Sequence, residues 1–508
     1  MTAPIRVGDE PIGPETVVAC AAAVAVPVEL TPAARERIAA TRRAADAVAA
    51  RRPVYGRTTG VGANRLEDAS ADQAGHALRL LRSHAADVGA ELPDDVVRAT
   101  LLIRLAQLAG GGGGLRPETA DALAAALREG WLPRLRDGGG IGTGDLTVLA
   151  QLGLALAGED GGWHRAGEDH AAGRAAPPPD GEEADGLSPS TGGPPRPGIE
   201  AGDALPLMSS NAASLAVSTL AWGALRDVLD ASLAVAALSF HALAGNPEPF
   251  AEPVVRGRPL PGIAAVSAVL RRLCADGAEP ARLQDPFALR CLPPVVGALA
   301  DALETLRAVL AVEINASAEN PLIADDAAYH HGGFHAAPLA LPLDAVRLAL
   351  VPVGALVSAR IAAMFEPALS GLPPFLAEGE PGSSGLLIAE YAAADALAQL
   401  RAEAVPTVTG AAVLSRGMEE HAGFAWQGAR QATAAARQFR TLVALEWVAA
   451  ERALRMKEAR TPPPLEPMRA LAAGFDDRRE DRVVGADVRR AEAALPALAA
   501  AVRALDVA

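Results

Sequence analysis

The stretch from Ala212 to Ala244 constrains this chain more than any other. It is apolar nearly all round, so as a helix it has no polar face to turn toward water. Such a helix is stable only inside a bundle of other helices or inside an oligomer. The rest of the sequence supplies the companions. Leu299, Leu303, Leu306 and Leu310 share one helical face, with Asp301, Glu304 and Arg307 elsewhere. Val97, Leu101, Leu105 and Leu108 do the same behind the capping candidates Asp94 and Asp95. Leu146, Leu149, Leu152 and Leu156 follow Asp145, a third capping candidate. Alanine and leucine dominate, only 3% of residues are aromatic, and β-branched runs are short, which favours helix over strand. An all-α fold is the expectation.

Four parts are expected along the chain. Residues 1–157 form an N-terminal part, and 158–202 are rich in Gly, Pro, Ser and charge. This second segment, with Pro177-Pro178-Pro179 and Gly192-Gly193-Pro194-Pro195, has too little apolar surface to order itself and reads as a long surface loop. Residues 203–460 carry the long helices. After the Pro-rich break at Thr461–Pro464, 461–508 form a tail that looks helical from about Asp487.

Charge and composition exclude several classes of function. The net charge of −15 has no compensating basic stripe, which argues against a nucleic-acid partner. Lys457 is the only lysine against abundant arginine, a bias we attribute to coding. Cys20, Cys274 and Cys291 are odd in number and widely spaced, so neither a disulfide framework nor a metal site is expected. Residues 1–10 carry acidic groups and no apolar core, unlike a signal peptide. The apolar runs Ala212–Leu225 and Leu348–Ser358, broken by Arg226 and Arg360, are too short to span a bilayer. A soluble cytoplasmic protein, off the membrane, is the expectation.

Five short motifs bear chemistry. Tyr55-Gly56-Arg57-Thr58-Thr59-Gly60-Val61-Gly62 puts a tyrosine on a glycine-hinged loop. Gly138-Gly139-Gly140-Ile141-Gly142-Thr143-Gly144-Asp145 is glycine at five of its first seven positions. It is not a phosphate-binding loop, because no strand precedes it and the Gly-Lys-Ser/Thr ending is missing. Then come Gln284-Asp285-Pro286-Phe287-Ala288-Leu289-Arg290, Asn315 to Leu322 followed by Gly332-Gly333-Phe334-His335, and Met418-Glu419-Glu420-His421. Singly, each has an ordinary reading: a glycine turn, a surface ion pair, an Asn-Pro turn, a charged helix face. Ser83-His84 with Gly89, Gly114-Leu115-Arg116-Pro117 and Asp481-Arg482-Val483-Val484 extend the set.

Together and in this order, from about Tyr55 to Val484, these motifs resemble the histidine and aromatic amino-acid ammonia-lyases and aminomutases. Histidine ammonia-lyase is the nearest branch. In that family an Ala-Ser-Gly tripeptide cyclises, with loss of two waters, into an electrophilic methylidene-imidazolone (MIO). No separately bound cofactor is implied. The resemblance implies that Tyr55 is the base for the β-proton and that Arg290 clamps the substrate carboxylate, a bidentate match of planar groups. It implies that Gln284, Phe287 and Phe334 line the pocket. His84 and Glu419 match positions of the histidine-specific branch, where a carboxylate pairs with an imidazole. A tyrosine of ordinary pKa about 10 would need a field that favours phenolate, from a helix N-terminus or Arg290. The family also implies a homotetramer with active sites shared among subunits, so that Tyr55, Gly142–Gly144 and Glu419 do not all come from one chain.

Departures from the family cluster at the electrophile. The tripeptide reads Gly142-Thr143-Gly144. Dehydrated threonine gives an ethylidene, whose methyl crowds the carbon under attack. Ser209 stands where the family has an asparagine that holds the ring oxygen, and Phe287 where it has a tyrosine. Gly333 replaces an asparagine. Losing one such donor costs roughly a hundred- to a thousand-fold in rate. Three readings follow: a lyase or aminomutase with a methyl-substituted ring; a ring-independent elimination, isomerisation or cyclisation enzyme using Tyr55 and Arg290; or a non-catalytic relative that binds a ligand or partner.

Overall fold

The computed structural model describes residues 4–159, 162–167, 196–275, 277–478 and 480–505. Pro177-Pro178-Pro179 and Gly192-Gly193-Pro194-Pro195 lie outside them. The protein is mostly helical. The described strands are three residues each and pair in three two-stranded sheets, so the all-α expectation holds in its coarser form.

The predicted helices are present. The apolar stretch is a helix over Ala212–Ala242, along which only Ala224 is exposed. Leu299, Leu303, Leu306 and Leu310 are buried on the Leu292–Glu313 helix. The C-terminal helix is Gly485–Arg503.

The chain divides into two compact units. One comprises Met1–Leu220, Val309–Ala340 and Thr407–Gln427; the other comprises Ala221–Ala308, Leu341–Pro406 and Gly428–Ala508. These units interleave along the sequence, unlike the consecutive parts drawn from composition.

In the first unit the helix Asp94–Ala109 packs on Pro14–Ala21 and Pro117–Glu129, and the helix Leu146–Ala157 packs on Gln73–His84 and Ala204–Met208. Asp94–Ala109 differs from the amphipathic expectation. Every residue from Val97 to Ala109 is buried, including Arg98, Thr100, Arg104 and Gln107. Burial is possible because the polar groups find partners. Arg104 pairs with Glu319 at 2.8 Å and donates to the Leu207 carbonyl at 3.2 Å. The capping expectation also needs correction. Pro93 occupies the N-cap, and Asp94 and Asp95 lie in the first turn, where carboxylates still favour the positive helix end. Part of 158–202 is ordered, contrary to the loop expectation: Trp163–Arg165 pairs antiparallel with Trp131–Pro133.

In the second unit Arg360 makes two bonds to Glu446, at 2.6 and 2.8 Å, and Ser239 Oγ donates to the same carboxylate at 2.6 Å. Arg347 pairs with Asp344 and Gln431. One expectation fails here. The run Leu348–Ser358 sits in a helix of 29 residues, Ala337–Phe365, long and apolar enough to cross a membrane by length and composition. Its buried Asp344, Arg347 and Arg360, with their partners inside the unit, mark it as a core helix. Cys20 and Cys274 are buried free thiols, and burial pushes Cys20 up to about 12, so it stays protonated.

Candidate active site

The glycine-rich segment is held by backbone and side chain alike. Gly142 has φ +82° and Gly144 φ +98°, left-handed values that glycine adopts without strain. At Gly142 a Cβ would lie 2.7 Å from the Ala425 nitrogen and 3.0 Å from that of Phe424, so the family's alanine does not fit this backbone. The Phe424 N–H donates to the Ile141 carbonyl at 2.8 Å, and the Ala336 N–H donates to the Gly142 carbonyl at 2.9 Å. The Gly144 N–H donates to Asn211 Oδ1 at 3.0 Å. Thr143, half-buried, lies between the two turned glycines.

Asp145 follows, and its side chain does not do what sequence position suggests. It stands at the N-cap of Leu146–Ala157 without capping it. Instead it accepts from Ser214 N–H at 2.7 Å and Ser214 Oγ at 2.6 Å, in the first turn of the Ala212–Ala242 helix. Burial pushes its carboxyl up to about 6, against those hydrogen bonds.

Ser209 is buried, and its Oγ accepts from the Asn320 N–H at 3.1 Å. The side chain that reaches the tripeptide is Asn211, which sequence reasoning missed. The signal was present: Ser209-Ser210-Asn211 precedes a long apolar run, as N-cap residues do.

Tyr55 is half-buried. Its hydroxyl oxygen accepts from the Gly62 N–H at 2.7 Å, and its ring meets His330 edge-on at 6.4 Å. Burial pushes its pKa above the ordinary value, Glu419 adds to that, and the Gly62 N–H and Arg65 pull the other way. The direction is opposite to the one a resting base requires. Glu419 reaches this loop: its Oε1 lies 3.4 Å from where a Gly62 Cβ would be, and Ser415 Oγ accepts from the Ala63 N–H at 2.9 Å. One chain therefore brings Tyr55 and Glu419 together.

Phe334 is half-buried, and its carbonyl accepts from Asn211 Nδ2 at 2.7 Å. Just beyond it, His335 Nε2 and His421 Nδ1 are 2.9 Å apart in stacked rings. The Ala337 N–H donates to His335 Nδ1 at 3.2 Å, so Nε2 carries the proton and donates to His421. This pair braces 334–337 against 421–424, the two segments that grip the tripeptide. Sequence reasoning missed it because the rings are 86 positions apart. His84 ends the Gln73–His84 helix, with Nδ1 2.9 Å from the Leu80 carbonyl.

Gln284, Phe287 and Arg290 belong to the second unit. Gln284 and Phe287 are exposed. The Arg290 guanidinium lies 4.5 Å above the Phe287 ring, and its Nε is buried without a hydrogen-bond partner. Stacking leaves the edge of the guanidinium fork available to a planar anion. Among the described residues no cluster of three or more His, Cys, Asp or Glu could hold a metal ion.

A helical scaffold here presents a twice-turned glycine tripeptide, a loop tyrosine and an acidic neighbour, the features that the ammonia-lyase resemblance implies. Residues 12–476 match the family described as aromatic amino acid lyase, and the chain belongs to that family, an ammonia-lyase enzyme of the MIO type. It is 35% identical over 468 residues to the histidine ammonia-lyase of Anaeromyxobacter sp. (strain K), covering 89% of each chain. The tyrosine aminomutase of Streptomyces globisporus superposes with a TM-score of 0.86 at 25% identity, over 99% of this chain and 98% of that one. Ergothionase from Treponema denticola shares the fold, with a TM-score of 0.85 at 23% identity over 98% and 99%.

The family normally forms its MIO group autocatalytically. The residues here fit such a group: both flanking positions are turned glycines, and a donor faces the Gly142 carbonyl while an acceptor faces the Gly144 N–H.

Proposed function

We propose that this enzyme eliminates ammonia from histidine or a histidine-like amino acid, with Tyr55 removing the β-proton and Arg290 holding the carboxylate. One observation carries the reading: the Glu419 carboxylate stands beside the loop of the tyrosine whose proton affinity it raises. A carboxylate there suits an imidazolium ring. Pairing with that ring would neutralise Glu419, remove its upward push on Tyr55 and let more of the tyrosine ionise to the phenolate that takes the proton when substrate is bound. A neutral aromatic ring would give no such relief. His84 and Gln284 supply further polar contacts in this reading, and Phe287 and Phe334 apolar ones. The self-formed group from Gly142-Thr143-Gly144 would supply the electrophile that makes nitrogen leave. The residues themselves bind, orient and move the proton.

The test is ammonia release from histidine, phenylalanine and tyrosine by the purified enzyme. Histidine is expected to be turned over fastest, and Tyr55→Phe to lose at least about a hundredfold, the usual worth of a positioned proton acceptor. Faster turnover of a neutral aromatic acid, or unchanged turnover in Tyr55→Phe, would overturn the reading. A ring-free elimination, isomerisation or cyclisation by Tyr55 and Arg290 is the second reading, favoured by the methyl that Thr143 brings to the electrophile.

The same reading has the chain act as a homotetramer with active sites completed by partner subunits. Leu341, Leu348, Ile388 and Tyr391 in the second unit are all at least half exposed, a set of apolar side chains that suits a subunit interface.

A further inference from the structure

With Ser209 given to Asn320, the tripeptide is held by a different residue. The Asn211 amide has one orientation available. Its Nδ2 donates to the Phe334 carbonyl at 2.7 Å, so Oδ1 faces the Gly144 N–H at 3.0 Å; a flipped amide would set oxygen against oxygen and N–H against N–H. Two residues past Phe334, the Ala336 N–H donates to the Gly142 carbonyl at 2.9 Å. One side chain thus ties both halves of the frame around Thr143.

Those contacts fall on the two groups that ring closure joins. The Gly144 nitrogen is the nucleophile and the Gly142 carbonyl carbon the electrophile. An acceptor on the N–H raises electron density at nitrogen, and a donor on the carbonyl oxygen draws it from carbon. Asn211 itself is firmly placed. It is 3% exposed, and its carbonyl accepts from the Leu215 N–H at 2.9 Å. The neighbouring Ser210 Oγ donates to Gln107 at 2.6 Å, which in turn accepts from Arg104 at 3.0 Å.

We propose that Asn211 is the positioning residue that holds Gly142-Thr143-Gly144 for ring closure, an inference that rests on the lyase reading for the use of the ring but not for its formation. The step balances without an oxidant. The Gly144 N to Gly142 C bond forms, and the Gly142 carbonyl oxygen leaves as water with the hydrogens of the Gly144 and Thr143 nitrogens. Thr143 Oγ1 leaves as a second water, with its own hydrogen and the Thr143 Cα hydrogen.

The measurement is the intact mass of the purified full chain, with circular dichroism and a melting curve to confirm folding. Wild type is expected two waters below the translated mass. Asn211→Ser is too short to bridge Gly144 and Phe334, and is expected to stay at the translated mass. Asn211→Asp keeps the acceptor for the Gly144 N–H but sets a carboxylate oxygen against the Phe334 carbonyl, and is also expected to stay at the translated mass. An Asn211→Ser protein that loses both waters overturns the proposal. So does wild type at the translated mass, or folded Asn211→Asp that loses both waters; the Asp variant decides the matter if the Ser variant does not fold. The lyase reading fails separately. Dehydrated wild type that releases no ammonia from any amino acid sinks that reading and leaves the role of Asn211 standing. Histidine turnover by full-mass wild type does the reverse.

Discussion

At the scale of single residues, the altered tripeptide has two changes with opposite physical meanings. Thr143 adds a methyl to the carbon that would be attacked. Thr143→Ser removes it, and a rise in turnover of about tenfold is expected, equivalent to about 1.4 kcal/mol of barrier; steady-state ammonia release measures it. Gly142, by contrast, is required by its φ of +82° and by the Ala425 and Phe424 nitrogens. Gly142→Ala restores the family's spelling but is expected to destabilise the fold by about 1–3 kcal/mol, read from denaturant melts. Glu419 raises the proton affinity of Tyr55, so Glu419→Gln should move the Tyr55 titration to lower pH. Tyrosinate absorbance against pH, with Tyr55→Phe subtracted, measures the shift; movement to higher pH would contradict the arrangement. Tyr55, Glu419 and the tripeptide were legible as motifs. Asn211 was legible only as a capping candidate before an apolar run; its reach across the chain to Gly144 leaves no local pattern.

At the scale of elements, the position of Asp145 was legible and its role was not. A carboxylate just before an apolar run reads as the cap of that run. The fold turns it to Ser214 of a different helix, and its burial makes its titration a stability signal. Its folded pKa of about 6 lies above the ordinary 3.8. The folded state therefore holds this proton more tightly than the unfolded chain does. The contribution to stability is complete below about pH 4 and is lost as pH rises through about 6. Asp145→Asn should remove that dependence. The melting temperature of wild type relative to Asp145→Asn should then fall between pH 4 and pH 6.5. The buried Arg360–Glu446 pair was equally illegible, since its partners are 86 residues apart. Glu446→Ala strands the guanidinium and is expected to cost about 3–5 kcal/mol, measurable by chemical denaturation.

At the scale of the whole molecule, exposed apolar side chains on a helical protein call for a partner surface. Light scattering should give four times the chain mass. Ile388→Asp with Tyr391→Asp, at two exposed positions of the Leu387–Glu403 helix, should lower that mass and expose the interface to an apolar dye; a wild-type monomer would remove the tetramer from the reading. The sequence by itself determined the helical class, the buried Ala212–Ala242 helix and the family, because hydrophobic periodicity and ordered motifs are local properties of the chain. Only the tertiary structure decided that Gly142 excludes the family's alanine, that Asn211 rather than Ser209 reaches the tripeptide, that Asp145 serves another helix and that Glu419 loads Tyr55. Each of these depends on which distant groups share a small volume, and hydrogen-bond geometry and desolvation act through space with no regard to position along the chain.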